Sequence, residues 1–180
     1  EVSREQRIIA KTINFSIIYG KTAFGLAKEL GISQKEASEY IDRYFNQYPK
    51  VKGFEKEIVE FTEKHGYTET FFGRRRLIDG INSKNKNIKS QAERMAVNSV
   101  IQGTAAEIIK KVMIEIYKYI KDRDGISLLL QVHDELLIET YKDELDEVKA
   151  IVEDGMKHAA TLSVPLEIDM KQGNNWLEAH

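Results

Sequence analysis

Residues 127–139, SLLLQVHDELLIE, decide the fold class because two apolar runs flank a polar, charged triplet. The runs 128–130 and 136–138 are short and leucine-rich, which is typical of buried β-strands. Burial of a charge is costly unless the charge is paired or bound to a metal. The triplet 133–135 is therefore predicted to lie at the join of a β-hairpin that spans residues 126–141.

The first three-fifths of the chain have mainly helical periodicity, punctuated by glycine and proline. Gly20 is a suitable end for the first helix, and Pro49 fits the first turn of a later one. Ser33 followed by Glu36 predicts a capping box. With a break at 102–103, the predicted helices span residues 4–19, 22–30, 34–47, 49–65, 88–101, 104–120 and 143–162.

Outside the main hairpin, three short segments are predicted to be strands. Residues 67–72 are rich in aromatics and threonine, and residues 77–81 are expected to return as their hairpin partner. Residues 164–170 are predicted to form a final strand, at a sheet edge because Pro165 lacks an N–H donor. Helices followed by a small antiparallel sheet backed by helices give an α+β fold.

Composition limits the classes of function without choosing among them. The 180 residues suggest one domain or two small ones, and the absence of cysteine excludes disulfides and thiol nucleophiles. No apolar run reaches the roughly 20 residues of a membrane helix. Residues 1–111 hold 20 Lys and Arg against 14 Asp and Glu, whereas residues 112–180 hold 7 against 15. The basic part can face a polyanion, but ordinary surface scatter explains the asymmetry equally well.

Four residues at intervals of four form a stripe on the first helix: Arg7, Lys11, Phe15 and Tyr19. At 1.5 Å per residue the stripe is roughly 18 Å long. Two cations one turn apart suit a polyphosphate, and an aromatic face suits a sugar or base. Spacing alone equally permits a surface helix with solvated cations and core aromatics.

The stripe and several further groups of residues occur in a fixed order along the chain. They are Arg7-x3-Lys11-x3-Phe15-x3-Tyr19-Gly20, Gly73-Arg74-Arg75-Arg76, Ala92-Glu93-Arg94-Met95-Ala96-Val97-Asn98, Gln102-Gly103-Thr104-Ala105-Ala106, Gln131-Val132-His133-Asp134-Glu135 and Trp176. The ordered set, which covers essentially the whole chain, resembles the family A DNA polymerases of the bacterial DNA polymerase I type. The resemblance implies that residues 1–66 are helices of the fingers and that residues 67–180 are the C-terminal part of the palm.

The resemblance implies nucleotide-binding roles for the first stripe. Arg7 and Lys11 would hold the triphosphate of a deoxynucleoside triphosphate (dNTP), and Lys11 would also protonate the departing pyrophosphate. Phe15 would pack on the sugar and base and exclude sugars that lack a 3′-hydroxyl. Tyr19 would occupy the templating-base stack and withdraw when the fingers close. Ser16 departs from the glycine that the family pattern leads us to expect beside Phe15.

A second stripe, formed by Arg94, Asn98 and Gln102, is implied to contact DNA. All three side chains donate hydrogen bonds, and minor-groove acceptors are present at every base pair, so the stripe can check pairing without reading sequence. The alternative to DNA contact is that these three residues form a polar helix face exposed to water. Arg74, Arg75 and Arg76 are expected to touch backbone phosphates, or to form a charged turn in solvent.

The hairpin residues are implied to serve the chemistry. Asp134 resembles a metal ligand, with Glu135 as a supporting group and lesser candidate ligand for Mg²⁺. His133 would orient the primer terminus, assisted by Gln131. In the complete enzyme two Mg²⁺ ions would promote attack of the primer 3′-hydroxyl on the α-phosphate. The family's second aspartate is not found, and it is expected to precede Glu1.

We therefore expect a fragment of a DNA-templated DNA polymerase that is inactive in isolation. Its expected partners are primer–template DNA and dNTPs, with no membrane. The complete protein is expected to be a monomer in the bacterial cytoplasm, associated with the nucleoid. Two alternatives remain open: a non-catalytic nucleotide- or nucleic-acid-binding module, and a metal-dependent phosphodiesterase that uses His133, Asp134 and Glu135.

Overall fold

The computed structural model describes residues 2–179 and has an α+β fold. The chain divides into two compact units, the first ending at Thr104 and the second beginning at Ala105. The elements are α1 (Arg4–Ile18), α2 (Ala23–Leu30), α3 (Gln34–Gln47), α4 (Pro49–His65), β1 (Tyr67–Glu69), β2 (Arg75–Leu77), α5 (Lys86–Ile120), β3 (Ser127–Val132), β4 (Glu135–Glu139), α6 (Leu145–Lys157) and α7 (Trp176–Ala179).

Local signals set the ends of the first four helices. The predicted capping box of Ser33 and Glu36 is confirmed, because each side chain accepts from the other residue's backbone N–H. Pro49 occupies the first turn of α4, as predicted. Gly20, with φ of 69°, follows the last residues of α1 in the left-handed region that glycine adopts readily. The helical segments predicted over residues 4–65 are confirmed to within one residue at each end.

The small sheet of the first unit differs from its prediction. Strand β1 is confined to three residues, and its antiparallel partner β2 pairs Tyr67 with Leu77 and Glu69 with Arg75. The prediction that residues 77–81 form the return strand is therefore wrong, because the arginine-rich segment itself pairs with β1. Residues Ile78 and Ile81 are instead buried in a core formed with α4 and α5.

Helix α5 is continuous, so the predicted break at 102–103 is wrong. Gly103 lies within the helix, where a Cβ atom would come within 2.6 Å of Cγ2 of Thr70. The Thr70 hydroxyl accepts from the backbone N–H of Arg74, and this bond holds the side chain in place. Gly103 therefore lets the segment after β1 approach α5 closely. Glycine has a lower helix propensity than alanine, but this modest cost does not end the helix.

Substitution of the helical glycines Gly103 and Gly53 by alanine is expected to change the free energy of unfolding in opposite directions. Gly103→Ala should lower the free energy of unfolding by about 1–3 kcal/mol, because overpacking against Thr70 exceeds the gain in helix propensity. Gly53→Ala should raise it by about 0.5–1 kcal/mol, because no atom lies within 4 Å of the added Cβ. Urea unfolding followed by circular dichroism measures both. Equal signs for the two variants would contradict this account of Gly103.

The second unit confirms the hairpin predicted over residues 126–141. Strands β3 and β4 are antiparallel, with a bulge between Leu128 and Leu130. Leu128 packs against a core that includes Val112, Ile116 and Val148. Leu129 and Leu130 are 49% and 45% exposed, so the expectation that the apolar run 128–130 is a buried strand is wrong for these two residues.

Two predictions near the end of the chain are corrected. Helix α6 is shorter than residues 143–162, and residues 164–170 are not a strand. Among the described residues no strand pairs with this segment, and a strand exists only through ladder hydrogen bonds. The side chain of Lys149 on α6 binds that of Gln172, which follows the segment.

The predicted division between fingers and palm at 66–67 stays a prediction, and its outer ends, residues 1 and 180, lie outside the described residues. Within residues 2–179 no helix combines the length and apolar character needed to cross a bilayer.

Candidate functional site

The predicted stripe lies along one side of α1, where its first three members are exposed and Tyr19 is half-buried. Lys11, Phe15 and Tyr19 contact one another in turn. The ammonium nitrogen of Lys11 lies 5.8 Å from the centroid of the Phe15 ring. The rings of Phe15 and Tyr19 stack with centroids 6.1 Å apart and planes 16° apart. Phe15 is 47% exposed and Arg7 is also exposed, so Phe15 is not a core residue. The face offers cations followed by an aromatic surface.

A surface groove of about 310 Å³ runs beside this face. Its polar groups come from both α1 and the segment that follows, so it can meet a charged ligand at one end and a ring at the other. The residues that line it are Lys11, Thr12, Phe15, Ser16, Tyr19, Lys21 and Glu29.

Three of these lining residues form a hydrogen-bonded corner between α1 and α2. The buried Ser16 hydroxyl donates to Oε2 of Glu29 at 3.1 Å, and the Lys21 ammonium pairs with the same oxygen. Hydrogen bonds from Lys21 and Ser16 hold the pKa of Glu29 below its usual value. Lys21 and Glu29 were not predicted, because no periodic spacing relates them to Ser16. The one signal was Ser16 itself, a hydroxyl between Phe15 and Ile17.

The second predicted stripe lies on α5 and begins beside the end of α1. A Cβ atom at Gly20 would lie 2.8 Å from Cγ of Arg94, so glycine allows the two segments to approach closely. The Arg94 guanidinium donates to the Ser90 hydroxyl at 2.7 Å. Asn98 is half-buried and its buried Oδ1 has no hydrogen-bond partner, whereas Gln102 is exposed. Buried polar atoms are normally paired, so this amide oxygen is a candidate ligand-binding group.

The arginine segment lines a second, smaller groove of about 130 Å³, together with Gln102 and Gly103. Arg75 pairs with Glu69 at 2.9 Å, which raises the pKa of the guanidinium. Arg76 donates to the Ser99 hydroxyl at 2.9 Å. Arg74, Arg75 and Arg76 are all exposed. The structure thus brings the segment to the stripe on α5, and protein groups orient two of its cations.

In the second unit the tip of the β3–β4 hairpin consists of His133 and Asp134. The last strand pair is Val132 with Glu135, so the turn has two residues. His133 has φ of 54°, the only positive φ among the non-glycine residues that the structure describes. A left-handed residue at the first turn position is typical of a tight hairpin, and for a side chain other than glycine it costs about 1–2 kcal/mol. The hairpin holds both residues in one geometry despite that cost.

Hydrogen bonding and exposure complete the description of the tip. The Gln131 side-chain amide donates to the carbonyl oxygen of His133 and so bridges the turn. Gln131, His133, Asp134 and Glu135 are all exposed. The four side chains that the sequence predicted to act together are therefore all exposed, at the hairpin tip or directly beside it.

Asp134 and Glu135 do not by themselves make a complete site for two metal ions. Across residues 2–179, no three His, Asp or Glu side chains are grouped closely enough to hold an ion. Carboxylates in a rigid turn suit Mg²⁺ as part of a larger donor set. The phosphodiesterase alternative gains no support, since it would need further ligands around His133.

Comparison with known proteins gives a consistent result along the chain. Residues 1–178 match the family described as "DNA polymerase family A". The chain is 47% identical over 179 residues to a DNA polymerase I of Caldicellulosiruptor bescii, covering 99% of this chain and 21% of that protein. It is 46% identical over 180 residues to the DNA polymerase I of Bacillus caldotenax, covering 99% and 20%.

A solved structure agrees with the sequence relatives. The polymerase domain of Pol1 from M. smegmatis, in complex with DNA primer–template and dNTP, superposes with a TM-score of 0.94 at 40% identity. The match covers 99% of this chain and 32% of that one. The chain spans about a fifth of the length of the curated relatives it matches. On the match over residues 1–178 and these identities, the chain belongs to DNA polymerase family A.

Proposed function

We propose that this chain forms the nucleotide-binding helix and part of the catalytic palm of a longer DNA-directed DNA polymerase. The observation that carries the proposal is the face formed by Lys11, Phe15 and the half-buried Tyr19 along a groove, in a chain that belongs to this family. The reaction is transfer of a nucleotide from a dNTP to a primer 3′-hydroxyl.

In this proposal the α1 face binds the incoming dNTP. Arg7 and Lys11 contact the triphosphate, since two exposed cations one turn apart match a polyanion. Lys11 also gives a proton to the departing pyrophosphate. Phe15 packs on the sugar and base. Tyr19 stacks on Phe15 in this structure and moves from the templating position when the nucleotide is bound.

The stripe on α5 and the arginine segment bind the primer–template duplex. Asn98 and Gln102 contact base edges in the minor groove, where the unpaired Oδ1 of Asn98 gains a donor. Arg94 supports the end of α1 as well as the duplex. Arg74, Arg75 and Arg76 contact phosphates, to which exposed guanidinium groups are well suited.

The hairpin tip serves the reacting ends. Asp134 would hold the Mg²⁺ ions that the polymerase requires, with Glu135 in a supporting role, and His133 and Gln131 orient the primer terminus. The ions, two in the complete enzyme, supply Lewis-acid stabilisation of the reacting phosphate. Because residues 2–179 hold no group of three metal-ligating side chains, the isolated chain is expected to be inactive.

A second candidate function is nucleotide or DNA binding without catalysis, which the exposed cations and aromatic ring of the α1 face would serve by themselves. The two candidates are separated by primer extension with the complete protein. That the complete protein acts as a monomer in the bacterial cytoplasm, at the nucleoid, stays a prediction.

Phe15→Tyr in the complete protein tests the assignment of the α1 groove. The variant should use dideoxynucleotides about tenfold better relative to dNTPs, because one added hydroxyl can replace a hydrogen bond that the sugar lacks, worth about 1–1.5 kcal/mol. The measurement is the ratio of kcat/KM values in single-nucleotide primer extension. Phe24→Tyr is the matched control, since Phe24 is exposed on α2 and does not line the groove. An unchanged ratio for Phe15→Tyr would remove Phe15 from the sugar site.

A further inference from the structure

The corner between α1 and α2 contains a hydrogen-bonded group that borders the nucleotide groove. Ser16 is 6% exposed, and its hydroxyl donates to Glu29 on α2. Lys21, in the connection between the helices, pairs with the same carboxylate oxygen. All three residues line the groove with Phe15 and Tyr19.

The position of Ser16 links this corner to the aromatic face. Ser16 directly follows Phe15 and precedes Tyr19 by three positions, so it lies on the adjoining side of the same turns of α1. A bond from Ser16 to α2 therefore resists rotation of α1 about its own axis. Rotation of the helix would move the Phe15 and Tyr19 rings out of the groove.

The hydroxyl and the ammonium contribute differently. Lys21 and Glu29 have side chains 39% and 43% exposed, so solvent screens their ion pair. The Ser16 hydroxyl is shielded from water, so it has no equivalent replacement if the carboxylate is removed. The hydrogen bond from the buried Ser16 is therefore the stronger restraint on the orientation of α1.

Packing around Lys21 orients its side chain toward the carboxylate. A Cβ atom at Gly25 would lie 2.9 Å from Cγ of Lys21, so the lysine stem crosses the surface of α2 at a residue without a side chain. Gly20, with positive φ, turns the chain between α1 and this lysine. The corner is thus formed by two glycines and three polar side chains: Gly20, Gly25, Ser16, Lys21 and Glu29.

We propose that Ser16 and Glu29, assisted by Lys21, are positioning residues that fix the aromatic face of α1 and thereby set the affinity and sugar selectivity for the incoming nucleotide. This inference rests on the proposed polymerase function of the groove. Neither Ser16 nor Glu29 needs to touch the nucleotide. Their effect passes through the orientation of Phe15 and Tyr19.

The test compares this pair with a chemically identical pair elsewhere in the same unit. Ser33 and Glu36 form the capping box of α3 and line neither of the two grooves. In the complete polymerase, Ser16→Ala and Glu29→Ala should each raise KM for dNTPs about three- to tenfold, with kcat changed less than twofold. The discrimination between dNTPs and dideoxynucleotides should fall in both variants. Ser33→Ala and Glu36→Ala should leave KM and discrimination unchanged.

The double variant Ser16→Ala/Glu29→Ala should behave like either single variant, because each removes the Ser16–Glu29 hydrogen bond and the ion pair of Glu29 with Lys21 is screened by solvent. Thermal unfolding of every variant accompanies the kinetics. A fall in melting temperature without a change in KM would reduce the corner to a structural brace and overturn the proposal, as would equal KM changes in the α3 pair. If the wild-type polymerase extends primers and the corner variants match it, the positioning role alone fails. If the wild type extends no primer, the proposed function fails and this inference fails with it.

Discussion

Asp134→Asn in the complete polymerase is expected to lower primer extension by about a thousandfold or more. Asn has almost the same shape as Asp and is accepted in tight turns, so the hairpin tip should keep its geometry. The change removes the negative charge with which the tip would hold a divalent cation. Loss of several kcal/mol of transition-state stabilisation corresponds to this loss of rate. Steady-state extension of a labelled primer, with dNTPs and Mg²⁺ in excess, measures the effect.

Two controls test whether the loss of primer extension is specific to Asp134. Asp122→Asn alters another exposed aspartate of the same unit, on the turn after α5, and should retain full activity. The isolated chain of residues 1–180 should extend no primer, since its described residues hold no group of three ligands. Extension by the isolated chain, or normal extension by Asp134→Asn, would contradict the assignment of Asp134 as part of a larger donor set.

Lys11→Ala is expected to produce the second largest loss, about 10²- to 10⁴-fold in kcat/KM for dNTPs. The residue has two roles in the proposal: its charge binds the triphosphate, and its proton goes to the leaving pyrophosphate. Lys11→Arg separates them, because arginine keeps the charge but does not release a proton in the working pH range. The arginine variant should therefore keep KM within a few-fold and lose kcat.

The matched control for Lys11 is Lys28→Ala, an exposed lysine on α2 that does not line the groove. It should leave both kinetic constants unchanged. Pre-steady-state incorporation of a single nucleotide separates binding from the rate of transfer. Equal losses of kcat in the arginine and alanine variants with unchanged KM in both would exclude a triphosphate contact. Full kcat in the arginine variant would exclude the proton-transfer role.

Much of the fold follows from short-range signals that a sequence displays directly. The four-residue spacing from Arg7 to Tyr19 predicted a face on which Lys11, Phe15 and Tyr19 do contact one another in turn. Ser33 and Pro49 marked helix starts because capping and a fixed φ are local properties. The hairpin at 126–141 was predictable for the same reason, since two apolar runs meet at a polar pair with little choice of connection.

Errors occurred where a distant segment changed the meaning of a local signal. Gly103 predicted a break, but α5 continues through it because the glycine accommodates Thr70, 33 positions earlier. Arg75 and Arg76 were left outside the predicted return strand at 77–81, yet they form the strand that pairs with β1. Residues 164–170 have strand-like composition without a strand partner among the described residues. Composition gives a segment its tendency, and a neighbour in space decides whether that tendency is realised.

The candidate site divides in the same way. The sequence by itself determined the first four helices, the hairpin and the ordered motifs that relate the chain to its family, because these depend on residues within a few positions of each other. Only the tertiary structure placed Arg94 against Gly20, left Oδ1 of Asn98 buried without a partner, and joined Ser16 to Glu29. Those contacts link residues 13 to 74 positions apart. Their energies depend on distance and burial in space, which the spacing of residues along the chain does not specify.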